Sequence, residues 1–190
     1  MDRREFLKIG AVAALLGLFP DTAMAAIARK AKHAKVVKAK AAATRALHFY
    51  NLHTGEKMDV AYFTRGKYSH AALKDINHLF RDYRTGTIKP IDPKLLDCLY
   101  SISLKLETHK TPFYIISGYR TPATNALLCR ESPNVARHSL HIKGKAADIR
   151  LPNRNIASIR RAAVGLKKGG VGYYPDENFV HVDVGNVRYW

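Results

Sequence analysis

Residues 138–148 read HSLHIKGKAAD, and this stretch sets the chemistry and the local fold of the chain. His141 and Asp148 lie on either side of Gly144, whose backbone freedom would let the loop turn so that the two side chains face each other. Asp148 belongs to an otherwise apolar segment, AADIRL, which is typical of a buried strand. Burying a carboxylate is costly unless it is paired or bound to a metal. The segment therefore predicts a partner for Asp148.

A second stretch, NFVHVD at residues 178–183, carries the matching polar groups. His181 and Asp183 are two residues apart on a predicted strand, so they point to the same face of the sheet. The valines at 180, 182 and 184 point to the other face and can supply the core.

Together these stretches predict a single zinc ion held by His141, Asp148 and His181. Three protein ligands leave a fourth position for water, which is typical of a catalytic zinc site. Alternatives remain at this stage: His138 could replace His141 as a ligand, and Asp183 could orient a ligand histidine by a hydrogen bond without contacting the metal. Another divalent transition metal would also suit this ligand set.

The order of elements predicts an α+β domain with a mostly antiparallel sheet flanked by helices. Periodicity and breaker residues indicate a hairpin over 47–63, a helix over 70–84, a helix from Asp92-Pro93, a strand over 112–117, a helix from Thr121-Pro122 to about Arg130, a strand over 145–151, a helix over 155–168 and a closing hairpin up to 185.

The bulk composition points to an anionic partner. The chain has 190 residues, 47% of them hydrophobic, a formal net charge of +17 and a pI of about 10.0. Such a charge favours binding to nucleic acid, anionic lipid or an acidic wall polymer.

The N-terminus decides among these partners. Residues 1–25, MDRREFLKIGAVAALLGLFPDTAMA, combine paired arginines, a short apolar run and a small-x-small cleavage pattern. They are typical of a twin-arginine signal peptide, with an uncleaved anchor as the alternative. Export to the periplasm would exclude nucleic acid and leave peptidoglycan and anionic lipid.

Residues 26–45 are rich in alanine and lysine, with seven Lys or Arg and no acidic residue. We interpret them as a basic tether, because they offer little apolar area to offset the entropy of ordering. The tether could contact the wall, or become helical on anionic lipid. The folded domain would then occupy residues 46–190. Its two cysteines, Cys98 and Cys129, could pair in an oxidising compartment or remain free.

Four motifs occur in order: SGYRTPATN (117–125), SLHIKGKAAD (139–148), GGVGYYP (169–175) and FVHVDVG (179–185), with NLHTGE and FRDYR upstream. Together they resemble the superfamily of zinc D-Ala-D-Ala carboxypeptidases and murein endopeptidases. The nearest likeness is the branch of murein endopeptidase K, a periplasmic peptidoglycan hydrolase. The resemblance implies a DD-peptidase-like or hedgehog-like fold with zinc at the edge of the sheet.

The resemblance also implies roles for individual residues. The family's zinc ligands correspond to His141, Asp148 and His181. Arg120 of SGYR would face the scissile amide and stabilise the developing oxyanion, unless it is only a structural partner of a carboxylate. Ser139 corresponds to a serine that helps to hold substrate, although a loop cap would explain it nearly as well.

One position departs from the family pattern. Some relatives have a glutamate as general base three residues before the last ligand, and here that position is Asn178. Asp183 is then the preferred base, or the group that orients the attacking water. Glu177 is the second candidate.

The expected function is zinc-dependent cleavage of peptide cross-links in peptidoglycan by a monomer. The resemblance favours the 3-3 link between two diaminopimelate residues. Two alternatives remain: a D,D- or L,D-carboxypeptidase of the same superfamily, and a non-catalytic module that binds the wall.

Overall fold

The computed structural model describes residues 44–132 and 135–190. The predicted signal peptide and nearly all of the predicted tether lie outside the described residues. Within the described part of the chain, none of the helices combines the length and apolar character needed to cross a membrane.

An eight-stranded sheet forms the centre of the described domain, with strand order β3-β2-β1-β4-β5-β7-β6-β8. The strands are β1 (Arg45–Asn51), β2 (Lys57–Thr64), β3 (Lys67–Tyr68), β4 (Phe113–Ser117), β5 (Ala146–Arg150), β6 (Gly170–Tyr174), β7 (Phe179–Asp183) and β8 (Arg188–Tyr189). Five neighbouring pairs are antiparallel, whereas β1–β4 and β6–β8 are parallel.

Four α-helices accompany the sheet in the described residues: α1 (His70–Leu79), α2 (Pro93–Lys105), α3 (Pro122–Glu131) and α4 (Ile156–Val164). Each begins after a side chain that accepts a backbone N–H of its first turn. Proline follows the capping residue in α2 and α3, where its missing N–H costs no hydrogen bond. The sequence therefore fixes where these helices begin.

Strand alternation divides the sheet into two faces. Side chains such as Phe49, Ile115, Ile149 and Val180 point to one face, where they form the core with apolar residues of α1, α2 and α4. We call the opposite side the outer face of the sheet. Asp148 and its same-side neighbours on the other strands lie on the outer face.

The predicted α+β fold with a mostly antiparallel sheet is confirmed. Two helices are shorter than the pattern indicated. The first ends at Leu79 instead of residue 84. Beyond it, the Phe80 carbonyl and the Asp82 carboxylate accept hydrogen bonds from the loop at 118–121. The last ends at Val164 instead of residue 168, where Gly165, a poor helix former, follows.

Candidate metal centre and active-site cleft

Asp148 and His181 face each other across strands β5 and β7, which pair in antiparallel register at this position. Asp148 Oδ1 lies 2.9 Å from His181 Nδ1. Both side chains are buried on the outer face. The resemblance implied a site at the sheet edge, but the pair occupies two interior strands of the sheet.

His141 reaches the same point from a short 3₁₀ turn, Leu140–Lys143. Ser139 caps the turn by accepting the N–H of His141, and Gly144 ends it in the left-handed conformation with a φ of 65°. A Cβ at Gly144 would lie 2.3 Å from the carbonyl oxygen of Pro90, so only glycine fits there. The predicted role of Gly144 in turning the loop is confirmed.

Three potential ligand atoms converge: His141 Nε2, Asp148 Oδ1 and His181 Nδ1. His141 Nε2 lies 3.2 Å from each of the other two. Ligand atoms around a tetrahedral zinc, at about 2.0–2.1 Å from the ion, would be separated by roughly 3.3 Å. The three buried residues can therefore hold a metal ion with little rearrangement.

The remaining nitrogen of each histidine is also engaged. His141 Nδ1 lies 2.7 Å from the carbonyl oxygen of Gly118, and His181 Nε2 lies 3.1 Å from Asp183 Oδ2. Donation from these nitrogens would leave the converging nitrogens unprotonated, as metal ligands must be. This donor set is the chemistry expected of a zinc site.

Asp183 is fully enclosed behind His181. Its carboxylate accepts hydrogen bonds from the N–H groups of Gly170 and Gly185, at 3.0 and 2.8 Å, and from Arg188, at 2.7 Å. Burial alone would raise its pKa, but the hydrogen bonds from His181, Arg188 and the two backbone groups outweigh it and hold the pKa far below its ordinary value. Asp183 is thus anchored as an anion.

Arg120 lies on the other side of the centre. Its Nε donates to Ser117 Oγ at 2.7 Å, and its terminal nitrogen donates to the second carboxylate oxygen of Asp148. Ser117 faces Asp148 across β4 and β5, just after an irregularity in the β4 register. Arg120 therefore contacts a candidate metal ligand and lines the cleft.

The loop that carries Arg120 is held by the FRDYR motif. Asp82 Oδ2 accepts both the N–H and the hydroxyl of Thr121, at 2.8 and 2.9 Å, and the carbonyl of Phe80 accepts the N–H of Tyr119. A Cβ at Gly118 would meet the Phe80 carbonyl oxygen at 2.5 Å. These contacts explain why FRDYR and SGYR occur together.

The NLHTGE motif extends this network. Asn51 donates to the carbonyl of Leu79 at 2.9 Å and accepts the N–H of His53 in its own turn. Glu56, at the end of that turn, accepts a hydrogen bond from Arg81 at 2.7 Å. The first hairpin therefore supports the segment that holds the Arg120 loop.

Charge at the centre is balanced by these contacts. Burial would raise the pKa of Asp148, but the neighbouring His141, His181 and Arg120 outweigh it and hold that pKa well below its ordinary value. Burial is the main cause that lowers the pKa of His141. A carboxylate and a neutral imidazole are the forms that bind metal.

A cleft of about 370 Å³ opens in front of the three residues. Trp190 forms one wall, with its ring centroid 5.3 Å from that of His181 and its indole N–H donating to the hydroxyl of Tyr174. A Cβ at Gly172 would lie 2.7 Å from the Trp190 ring, so that glycine makes room for the wall. The guanidinium carbon of Arg188 lies 5.0 Å from the centre of the same ring.

Sequence reasoning did not single out Trp190, Arg188, Ser117 or Asp82. The signals were present in three of the quoted motifs: the glycines of GGVGYYP, the acidic residue of FRDYR and the serine that opens SGYRTPATN. None of these residues can be assigned a role from the sequence, because their partners lie on segments that only the fold brings close.

The other predicted residues are arranged as follows. His138 and Glu177 are exposed and line the cleft, and His138 is outside the group of three convergent residues. Ser139 lines the cleft as well as capping the turn. Asn178 lies in the turn between β6 and β7 with a φ of 55°. Cys98 and Cys129 are free thiols, with Cys98 in the core.

The α+β fold, the buried His-Asp-His group in its cleft and the family match given next together identify the chain as an M15-type metallopeptidase. Residues 39–190 match the family described as peptidoglycan L,D-endopeptidase MepK, and the chain belongs to that family. It is 40% identical over 189 residues to the peptidoglycan L,D-endopeptidases MepK of Escherichia coli K12 and of Shigella flexneri, covering 100% of this chain and 97% of each relative. A relative from Haemophilus influenzae is 35% identical over the same length and is covered to 95%.

Proposed function

We propose that this protein is a periplasmic, zinc-dependent endopeptidase that cleaves peptide cross-links in peptidoglycan, with preference for the 3-3 link between two diaminopimelate residues. One observation carries the proposal: His141, Asp148 and His181 converge within a cleft that Arg120 also lines. Membership of the MepK family supports the substrate and the L,D bond type.

One zinc ion bound by His141, Asp148 and His181 would supply Lewis-acid chemistry, polarising the scissile carbonyl and lowering the pKa of the attacking water. The chain's own contribution is to hold these three groups still. The contacts of His141 with Gly118 and of His181 with Asp183 fix both rings.

Arg120 is placed to stabilise negative charge as it develops on the carbonyl oxygen. Its guanidinium is held by Ser117 and Asp148, and a guanidinium has five N–H donors, more than these two bonds use. A fixed donor of this kind needs no reorganisation during the reaction. Its contact with Asp148 also gives it the structural role that the sequence left open.

We assign Asp183 to orienting His181, and Glu177 to accepting the proton of the attacking water. Asp183 contacts His181 on the side of the ring away from the convergent atoms, and its carboxylate is saturated with donors. Such a group accepts a proton poorly. Glu177 is exposed in the cleft, where a carboxylate can reach substrate. The sequence-based preference for Asp183 as base is therefore replaced by the orienting alternative.

The N-terminal segments would bring the enzyme to its substrate. The twin-arginine-type signal at residues 1–25 would carry the folded protein to the periplasm, and the basic segment at 26–45 would contact the wall or anionic lipid. The protein would act there as a monomer. The mature chain keeps a positive charge that suits a polymer with free carboxylates.

The test is digestion of purified muropeptides by the zinc-loaded protein, with products identified by mass spectrometry. The substrates are a 3-3 dimer, a 4-3 dimer and a monomeric stem peptide. We expect cleavage of the 3-3 dimer and its loss with chelator. Shortening of the monomeric peptide with intact dimers would favour a carboxypeptidase. Binding to the wall without turnover of any substrate would favour a non-catalytic module.

A further inference from the structure

A row of four side chains crosses the outer face of the sheet beside the metal centre. Lys57, Tyr50, Tyr114 and Arg150 come from β2, β1, β4 and β5, and each is directly opposite the next in the register of the strands. We call these four residues the cross-strand row. With strands about 4.8 Å apart, the row extends over roughly 14 Å.

The row begins next to the candidate metal centre. Arg150 is two residues after Asp148 on β5 and therefore on the same face, about 6.6 Å along the strand. From there the row leads away across three neighbouring strands. A polymer whose cross-link lies in the cleft could follow this surface.

Two aromatic rings lie between two cations in the row. The Tyr50 and Tyr114 rings meet edge to face with centroids 5.2 Å apart, and the Lys57 ammonium lies 5.6 Å from the centre of the Tyr50 ring. These rings and Lys110 line a groove of about 800 Å³. Its one lining carboxylate, Asp59, is engaged with His48 at 2.6 Å.

Arg150 supplies a second, independent observation. Its Nε is buried and lacks a hydrogen-bond partner among the described residues, and its terminal nitrogen reaches the carbonyl of Glu177 at 3.3 Å. Cross-strand aromatic and charged pairs can stabilise a sheet by themselves. Pairing within the row leaves the Arg150 guanidinium with a single contact among the described residues, to the Glu177 carbonyl, so its terminal nitrogens keep donors for a ligand.

We propose that the cross-strand row is a binding track for the glycan strand of peptidoglycan. The apolar C–H faces of the sugar rings would pack on the rings of the two tyrosines. Lys57, Lys110 and Arg150 would pair with carboxylates of the stem peptides attached to the strand. The inference rests on the proposed peptidoglycan substrate, but it concerns binding of the sugar chain and not cleavage of the peptide.

The test measures binding of the full-length protein, with chelator present to stop cleavage, by sedimentation or fluorescence. The ligands are whole sacculi, glycan strands freed of stem peptides by an amidase, and a soluble cross-linked peptide without sugars. We expect Tyr50→Ala/Tyr114→Ala to weaken binding to sacculi and to peptide-free glycan about tenfold. Tyr50→Phe/Tyr114→Phe keeps the rings and should stay within about twofold of the wild type.

A charge-reversal pair provides a second route should the alanine variant unfold. Lys57→Glu/Lys110→Glu should weaken binding to sacculi, whereas Lys74→Glu/Lys94→Glu makes the same charge change on helices α1 and α2 and should not. Equal losses of affinity in both double variants would show that only the overall charge of the protein matters, and would overturn the track. Wild-type binding by the alanine variant, or failure of the wild type to bind peptide-free glycan, would overturn it as well.

The outcome for the track is separable from that for the proposed enzyme. If the protein cleaves no cross-link but binds peptide-free glycan through Tyr50 and Tyr114, the track stands and the endopeptidase proposal fails. If cross-linked peptide is cleaved while both tyrosine variants bind glycan like the wild type, the endopeptidase stands and the track fails.

Discussion

Asp148 and His181 lie directly opposite each other on β5 and β7, with Oδ1 and Nδ1 2.9 Å apart. Sheet hydrogen bonds on both sides fix the spacing of the two backbones, so both side chains extend from strands and not from flexible loops. Only the third convergent residue, His141, depends on a turn. Most of the candidate centre is therefore preorganised before any metal binds.

Removing the anchor behind His181 should weaken metal binding. We expect Asp183→Asn to lower zinc affinity about 10–100-fold, because the amide cannot hold the imidazole as a carboxylate does. Competition with a chromogenic chelator measures the affinity. Asp176→Asn, which changes an exposed residue of the turn after β6, serves as the control. Unchanged affinity in Asp183→Asn would contradict the orienting role.

Arg120 should affect turnover and not metal content. We expect Arg120→Ala to reduce kcat about 10²–10³-fold while zinc stoichiometry stays at the wild-type value, because a fixed oxyanion donor is lost. Arg120→Lys should recover little, since an ammonium cannot contact Ser117 and Asp148 in the same fork. Full activity in Arg120→Ala would show that the oxyanion assignment is wrong.

Gly144 allows a direct comparison between two glycines with positive φ. Gly55 has a φ of 72° and open space around it, whereas Gly144 has a φ of 65° and the Pro90 carbonyl against it. We expect Gly55→Ala to lower the free energy of unfolding by about 1 kcal/mol, and Gly144→Ala by about 2–3 kcal/mol or more. Urea denaturation measures both. Equal losses would mean that the turn at Gly144 can move.

Asp82 should make stability depend on pH. Burial would raise its pKa, but hydrogen bonds from Thr124, Thr121 and Arg84 outweigh it and lower the pKa below the ordinary 3.8. Because the folded-state pKa is depressed, this stabilisation is present above the unfolded-state pKa and is lost as pH falls through the folded value. Asp82→Asn should therefore be less stable than wild type at pH 7, with the difference shrinking towards pH 3.

The measurement for Asp82 is urea denaturation of the metal-free protein at pH 7, 5 and 3. Asp75→Asn, an exposed residue on α1, is the matched control and should leave the pH dependence of stability unchanged. A constant difference between wild type and Asp82→Asn across this range would show that the Asp82 carboxylate is not stabilised by the Thr121 loop.

Local patterns in the sequence were sufficient for much of the fold. Apolar alternation located the strands, and the capping residues Asp92 and Thr121 located helix starts, because both effects act over a few residues. The parallel pairings β1–β4 and β6–β8 were not predictable, since a local pattern does not specify which strands become neighbours in a sheet. The early end of α1 was also missed, because Asp82 makes its decisive contact with Thr121, 39 residues away.

The sequence by itself determined which groups are available to the candidate centre. Two imidazoles, a carboxylate and a glycine that can turn the loop follow from residue type and strand pattern, whereas Arg120 follows from the resemblance of SGYR to a known family. Only the tertiary structure decided which nitrogen of each histidine faces the centre, that Asp183 stands behind His181, and that Lys57, Tyr50, Tyr114 and Arg150 share one row. Those relations depend on strand register and side-chain direction, which packing of distant segments sets and local spacing does not.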